Sequence, residues 1–173
     1  MKKFFGAIAL VLATSAFAFD AECDVRFSPN GKSVDAIVEH IDAAKTRVDV
    51  FAYSFTNKLI AESLARAVQR GVVVTAIIDA KEITKKGNRV AFVKAAGVDT
   101  YLDAKHHIQH NKVITIDDTY VHNGSFNFSF NAETANAENS MWCNSPEGVK
   151  IFRENFELHK THAKPFDLPP VVQ

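Results

Sequence analysis

Apolar residues return along this chain in two alternating rhythms. "CDVRF" reads as a short strand, and "SPNGKS" after it carries the proline, asparagine and glycine of a turn. From Ser33 the apolar positions Val34, Ile37, Val38, Ile41 and Ala44 recur at three and four, one face of a helix that Ser33 is placed to cap. "RVDVFAYSF" then predicts a strand, and "NKLIAESLARAVQRG" a helix opened by Asn57 and stopped at Gly71. "VVVTAIID" is a continuous β-branched run, as expected of a strand covered on both faces. "GNRVAFVKAAG" predicts another helix, ending at Gly97, and "VDTYL" another strand. Strand and helix alternate at spacings that suit right-handed crossovers, which predicts an α/β domain, a mixed sheet with helices on both faces. Such sheets bind ligands at the carboxyl ends of their strands. No glycine-rich phosphate loop follows any of these strands, which removes the nucleotide-binding folds.

The second half changes character. "KVITI" and "TYVHN" flank Asp117-Asp118 as a tight hairpin would. "GSFNFSFNAETANAEN" reads as a polar loop, "SMWC" as a short strand and "PEGVKIFRENFELHK" as a final helix. The end, "AKPFDLPPVVQ", is proline-rich and is expected to fray, leaving residues 164–173 as a flexible tail after a domain spanning 19–163.

The leader narrows the setting. Lys2 and Lys3 precede an apolar run from Phe4 to Ala13, and small residues end at Ala16-Phe17-Ala18. This is the layout of a secretory signal peptide, residues 1–18, with too short an apolar core to span a bilayer comfortably. Cleavage after Ala18 leaves 155 of 173 residues, no stable membrane anchor, and 18 basic against 20 acidic residues. That balance gives no support to a nucleic-acid partner, which would need a local basic patch. Cys23 and Cys143 could pair in an oxidising exported compartment or stay as two buried thiols, and the sequence leaves both open. Their spacing matches no zinc motif.

Candidate chemistry concentrates in "HHIQHNKVITIDD", residues 106–118. His106 and His110 would share a helix face, but the stretch lacks helical periodicity and runs into a β-branched strand, so a metal reading is minor. On a strand, His110 and Lys112 project from one face about 7 Å apart. An imidazole beside a fixed ammonium can attack phosphorus, or move a proton, while the ammonium neutralises a phosphate oxygen. The spacing continues through Asp117 to Gly124, Ser125 and Asn127, giving H-x-K-x4-D-x6-G-S-x-N intact. A Gly-Ser turn after the hairpin would bring Ser125 and Asn127 back beside His110 and Lys112 as a cradle for a phosphodiester.

This pattern resembles the signature of the phospholipase D superfamily, matched at every defining position. "AYSFT", "RGVVVTAIIDA", "IQHNKV", "GSFNFS" and "AETANAEN" extend the resemblance to its short bacterial endonucleases, which carry a signal peptide and one copy of the motif. His106, His107 and the cysteines fall outside that pattern. The resemblance implies a phospholipase D-like sandwich, with His110 as the nucleophile of a phosphohistidine intermediate. It makes Lys112 and Asn127 the phosphate-binding pair and Ser125 a hydrogen-bonding member of the same pocket. Glu138 would accept from the other nitrogen of His110 and fix its tautomer. Asp117 is expected to be mainly structural.

A double displacement needs a nucleophile on one side of phosphorus and a general acid on the other, and one histidine cannot be both in the first step. One motif per chain therefore implies a homodimer with the site on its twofold axis. Two lysines and two asparagines there would supply what Mg²⁺ supplies elsewhere, so neither metal nor cofactor is expected. Family resemblance favours DNA as substrate, with RNA not separated from it and little sequence preference. Lys81, Lys85, Lys86 and Arg89 are candidate backbone contacts at the cleft rim, with a solvated loop as the alternative reading. Phe126, Phe128 and Phe130 could stack on bases, with core packing the safer reading for most. His122 is expected to be simply packed.

Two other classes compete. A phospholipid hydrolase would share the chemistry but need an apolar entrance, and no amphipathic basic helix offers one. An idle nucleic-acid-binding module would not need a nucleophilic imidazole with its orienting acid. The expected location is exported, periplasmic before secreted.

Overall fold

The computed structural model describes residues 21–168, so the leader lies outside the described residues. Eight strands form one mixed sheet in the order β1-β7-β6-β5-β2-β3-β4-β8. In chain order these are β1 (Glu22–Ser28), β2 (Arg47–Ala52), β3 (Val73–Asp79), β4 (Asp99–Asp103), β5 (Val113–Ile116), β6 (Tyr120–Gly124), β7 (Glu138–Asn144) and β8 (Lys164–Pro165). β2, β3 and β4 are parallel neighbours, and every other pairing is antiparallel. The helices are α1 (Ser33–Ala43), α2 (Lys58–Gln69), α3 (Val90–Ala95), α4 (Phe130–Thr134) and α5 (Pro146–Lys160).

Alternation along the strands divides the core. On β2, Val48, Val50 and Ala52 face the layer of α1 to α3 with Val74, Ala76 and Ile78 of β3, against Ile37, Ile60, Leu64 and Val93. Phe51 and Ile77 face the other way and pack with Val121 and Cys143 under Val149 and Phe156 of α5. Each fully buried Ile, Leu or Phe contributes about 1.5–3 kcal/mol over leaving it in water. Asp49 also points to the α5 side, where Arg47 and Arg153 neutralise it and the Thr115 hydroxyl donates to it, at 2.8–3.2 Å.

Local chemistry explains most element ends and corrects some expectations. Asn57 caps α2 by accepting from the Ile60 amide, and Gly71 and Gly97 take the left-handed conformation after α2 and α3. Ser33 does not cap α1. It is the first helical residue, Lys32 is the cap in a left-handed conformation, and the Glu133 carboxylate accepts from the Val34 amide. The expected polar loop after β6 contains α4, with Ser129 accepting from the Ala132 amide, and this short helix delivers Glu133 to α1. Residues 164–168 are not a free tail: β8 pairs with β4, and Phe166 is buried and donates its amide to Thr100. Cys23 and Cys143 face each other in the β1–β7 register and are joined as a disulfide.

Candidate active site

β2, β3 and β4 end on one edge of the sheet, at Ala52, Asp79 and Asp103. β5 enters from that edge and β6 returns to it, so the 104–112 connection and the chain after Gly124 meet there. The 104–112 connection is pinned from below. The buried Asp79 carboxylate accepts the Gln109 amide at 2.7 Å and the Lys81 amide at 2.9 Å. Gln109 is itself buried, and its Oε1 accepts from the Asn111 amide at 2.9 Å and Nδ2 at 2.7 Å. Lys81 donates Nζ to the His107 carbonyl, so its ammonium anchors the loop.

The expected shared strand face is replaced by another geometry. β5 begins only at Val113, His110 is exposed, and Lys112 is buried at 4% exposure. Tyr53, just past β2, brings the pair together. The His110 ring meets the Tyr53 ring edge-on at 4.9 Å, and the Lys112 ammonium lies 5.4 Å from the same ring's centre. Lys112 donates one N–H to the His110 carbonyl at 2.6 Å. Burial holds the Lys112 pKa below the ordinary lysine value, opposed by the charge of Glu138.

The second arm comes from "GSFN". Gly124 is required because a Cβ there would sit 2.4 Å from the Asn139 carbonyl oxygen. Ser125 donates to Glu138 Oε2 at 2.5 Å and accepts from the Asn139 amide at 3.1 Å. Phe126 and Phe128 are fully buried, and Phe128 bridges Phe55, which carries Asn127 over the end of β2. Asn127 Oδ1 is buried with no hydrogen-bond partner among the described residues. Such an uncommitted polar group is uncommon in a folded interior and suits a ligand site.

One expected role changes. Glu138 accepts from Ser125 and from Asn136 Nδ2 at 2.9 Å, and among the described residues it makes no hydrogen bond to His110. Asp117 lies at the far end of β5, about 16 Å of extended chain from Lys112. There it accepts from the Lys45, Thr46 and Arg47 amides and the Thr46 hydroxyl at 2.8–3.0 Å, a structural clamp and not part of the site.

Lys85 and Lys86 are exposed and line a groove with Tyr53, Ser54, Thr56, Ser129 and Phe130. Phe130 is 67% exposed there, whereas Phe126 and Phe128 are core residues. Arg89 is half-buried. His122 is packed inside as expected, with Nε2 2.9 Å from the Ser140 hydroxyl, and burial lowers its pKa to about 3. Sequence reading missed Tyr53, Asp79 and Gln109, though an acid ending a buried strand marks Asp79 as a group that needs donors.

Buried ammonium, exposed imidazole, uncommitted amide and Ser125–Glu138 pair thus gather at the carboxyl edge of a mixed sheet, an arrangement suited to a phosphodiester. The cardiolipin synthase, PLD-like domain family matches residues 37–160. Nuc of Salmonella typhimurium, a phospholipase D family member, superposes with a TM-score of 0.82 at 32% identity, covering 86% of this chain and all of that one. NucT from Helicobacter pylori superposes with a TM-score of 0.79 at 22% identity, covering 85% of this chain and all of that one. The phospholipase D of Rickettsia prowazekii is 32% identical over 78% of this chain and 66% of its own length. The mitochondrial cardiolipin hydrolase of Danio rerio is 27% identical over 84% of this chain and 64% of its own. The chain spans about two thirds of the length of these two relatives. It belongs to the phospholipase D superfamily.

Proposed function

We propose that this protein is a metal-independent phosphodiesterase that cleaves DNA, and RNA where it reaches the groove, through a phosphohistidine intermediate in a homodimer. The observation that carries the reading is the pairing of exposed His110 with buried Lys112 on Tyr53. The ammonium spends one N–H on the His110 carbonyl and keeps two for phosphate oxygens. A His110 ring nitrogen attacks phosphorus, the P–O bond to one nucleoside breaks, and the leaving oxygen takes a proton from the partner copy's imidazole. Water then attacks phosphorus and gives its proton to that imidazole, the P–N bond breaks, and both histidines are regenerated.

Dimerisation answers a specific deficit. A nucleophilic imidazole needs an acceptor on its other nitrogen, and Glu138 of the same chain accepts from Ser125 and Asn136 and makes no hydrogen bond to His110 among the described residues. Twofold pairing of the carboxyl edges would offer His110 the partner copy's acidic residues. The groove lined by Lys85, Lys86 and Phe130 fits a phosphate backbone and an unstacked base better than an acyl chain. Export, with the leader removed, agrees with the disulfide.

The names phospholipase D and cardiolipin hydrolase among the relatives favour a phospholipid as the second reading. A panel of plasmid DNA, single-stranded DNA, RNA and cardiolipin or phosphatidylcholine vesicles, with His110→Ala beside wild type, tests both. His110-dependent cleavage of nucleic acid with lipid untouched is the expected result. Lipid turnover without nucleic-acid cleavage overturns the proposal.

A further inference from the structure

A second cluster of side chains stands on the same sheet edge, one strand beyond the site. Asp103 ends β4, His106 follows in the connection, His159 lies in the last turn of α5 and His162 just after it. They form two pairs of spacing three, D-x-x-H and H-x-x-H, which the fold closes on each other. Asp103 Oδ2 is 2.8 Å from His106 Nδ1, 3.3 Å from His159 Nδ1 and 3.4 Å from His162 Nε2. All four ligand atoms lie within 4.8 Å of one another. The Asp103 carboxylate is fully buried, His159 and His162 are 16% and 17% exposed, and His106 is 43% exposed.

Hydrogen bonding alone accounts poorly for this arrangement. Three imidazole nitrogens converge on one oxygen, one more than its lone pairs. His162 Nε2 is buried without a hydrogen-bond partner, since its 3.4 Å approach to Asp103 lacks the geometry of one. Oδ1 is already occupied by the Lys105 amide at 2.9 Å, which holds the carboxylate with Oδ2 turned to the histidines. We propose that Asp103, His106, His159 and His162 bind a divalent transition-metal ion, Zn²⁺ by preference, as a closed structural site. Three neutral imidazoles and one carboxylate suit Zn²⁺ and its neighbours and not Mg²⁺ or Ca²⁺, which favour all-oxygen shells. Zinc bonds of about 2.0–2.1 Å put tetrahedral ligand atoms roughly 3.3 Å apart, so a cluster whose ligand atoms lie within 4.8 Å of one another needs its widest separation to close by about 1.5 Å.

Four protein ligands leave no open position for water, so the ion has no part in the chemistry. Its effect is mechanical. It ties the end of α5 to the connection that carries His110, four residues after His106, adding to the anchors at Asp79 and Lys81.

The test uses the mature chain without a histidine tag, stripped of metal and titrated with ZnCl₂ by calorimetry and thermal unfolding. The expected result is one Zn²⁺ per chain and a rise in Tm of roughly 5–10 °C at a hundredfold excess over Kd. His159→Ala and His162→Ala are expected to weaken binding at least tenfold, and His110→Ala to leave it unchanged. No stoichiometric binding, or binding lost in His110→Ala but kept in His159→Ala and His162→Ala, overturns the proposal. Neither readout depends on phosphodiesterase activity, so it fails separately from the functional reading.

Discussion

Replacing Asp117 by alanine separates a structural carboxylate from a catalytic one. The wild-type side chain accepts three backbone N–H groups and one hydroxyl, at Lys45, Thr46 and Arg47, and holds the start of β2 to the β5–β6 turn. The site is partly open, so water re-solvates some of these donors, and about 1 kcal/mol or less for each lost bond is appropriate. Asp117 also has φ 50, where alanine is strained by about 1 kcal/mol and asparagine is tolerated. Together Asp117→Ala is expected to cost about 3–4 kcal/mol and Asp117→Asn about 1 kcal/mol, read as a shift of urea midpoint at unchanged slope. Burial pushes the Asp117 pKa up, but the donors from Arg47, Thr46 and Lys45 outweigh it and hold it below the usual carboxylate range. A depressed native pKa gives stability that is full above about pH 4, the unfolded value, and is lost as pH falls through the native one. The gap between wild type and Asp117→Ala should therefore be flat at neutral pH and narrow in acid. An alanine variant as stable as wild type but inactive would place Asp117 in the chemistry and refute this reasoning.

Other expectations follow from the same geometry. The native pKa of His122, about 3, lies below its unfolded value near 6.5. The unfolded chain thus binds the extra proton, and stability should fall from about pH 6.5 towards pH 3, with His122→Leu removing that slope in acid-unfolding curves. Wild type co-refolded with an equal amount of His110→Ala should show about a quarter of the activity of the same total amount of wild type if each site needs both histidines, and about half if each chain acts alone. Lys85→Ala with Lys86→Ala should weaken DNA binding and reduce the salt slope of log Kd by about two, checked by fluorescence anisotropy. An unchanged slope would remove these lysines from the groove's contacts.

How much of this was legible in the sequence depends on the range of each interaction. The α2 boundaries were readable because Asn57 bonds three residues ahead and Gly71 turns the chain locally. Ser33 misled because the group that meets the start of α1 is Glu133, 99 residues distant from Val34 and delivered by a helix too short to show periodicity. The hairpin at Asp117 was readable, but its clamp on Lys45–Arg47 crosses 70 residues or more. Within the site, "HxK" and "GSFN" announced themselves by spacing, while Tyr53 and Gln109 carry no mark that separates them from ordinary strand-end residues. Alternation placed His110 and Lys112 on one face, whereas Asp79 pins Gln109 below and leaves His110 exposed and Lys112 buried. "HHIQH" drew notice as a histidine cluster, but the neighbours of His106 are Asp103, His159 and His162, brought together only by packing of α5 on the sheet.

The most direct measurement is plasmid cleavage by the purified protein at 25 °C in excess EDTA, with His110→Ala in parallel. Cleavage by wild type that disappears in the variant is the expected result, for a nucleophilic histidine whose phosphate charge is met by Lys112 and Asn127 without metal. Cleavage only on addition of a divalent ion, or cleavage that survives in His110→Ala, would contradict it.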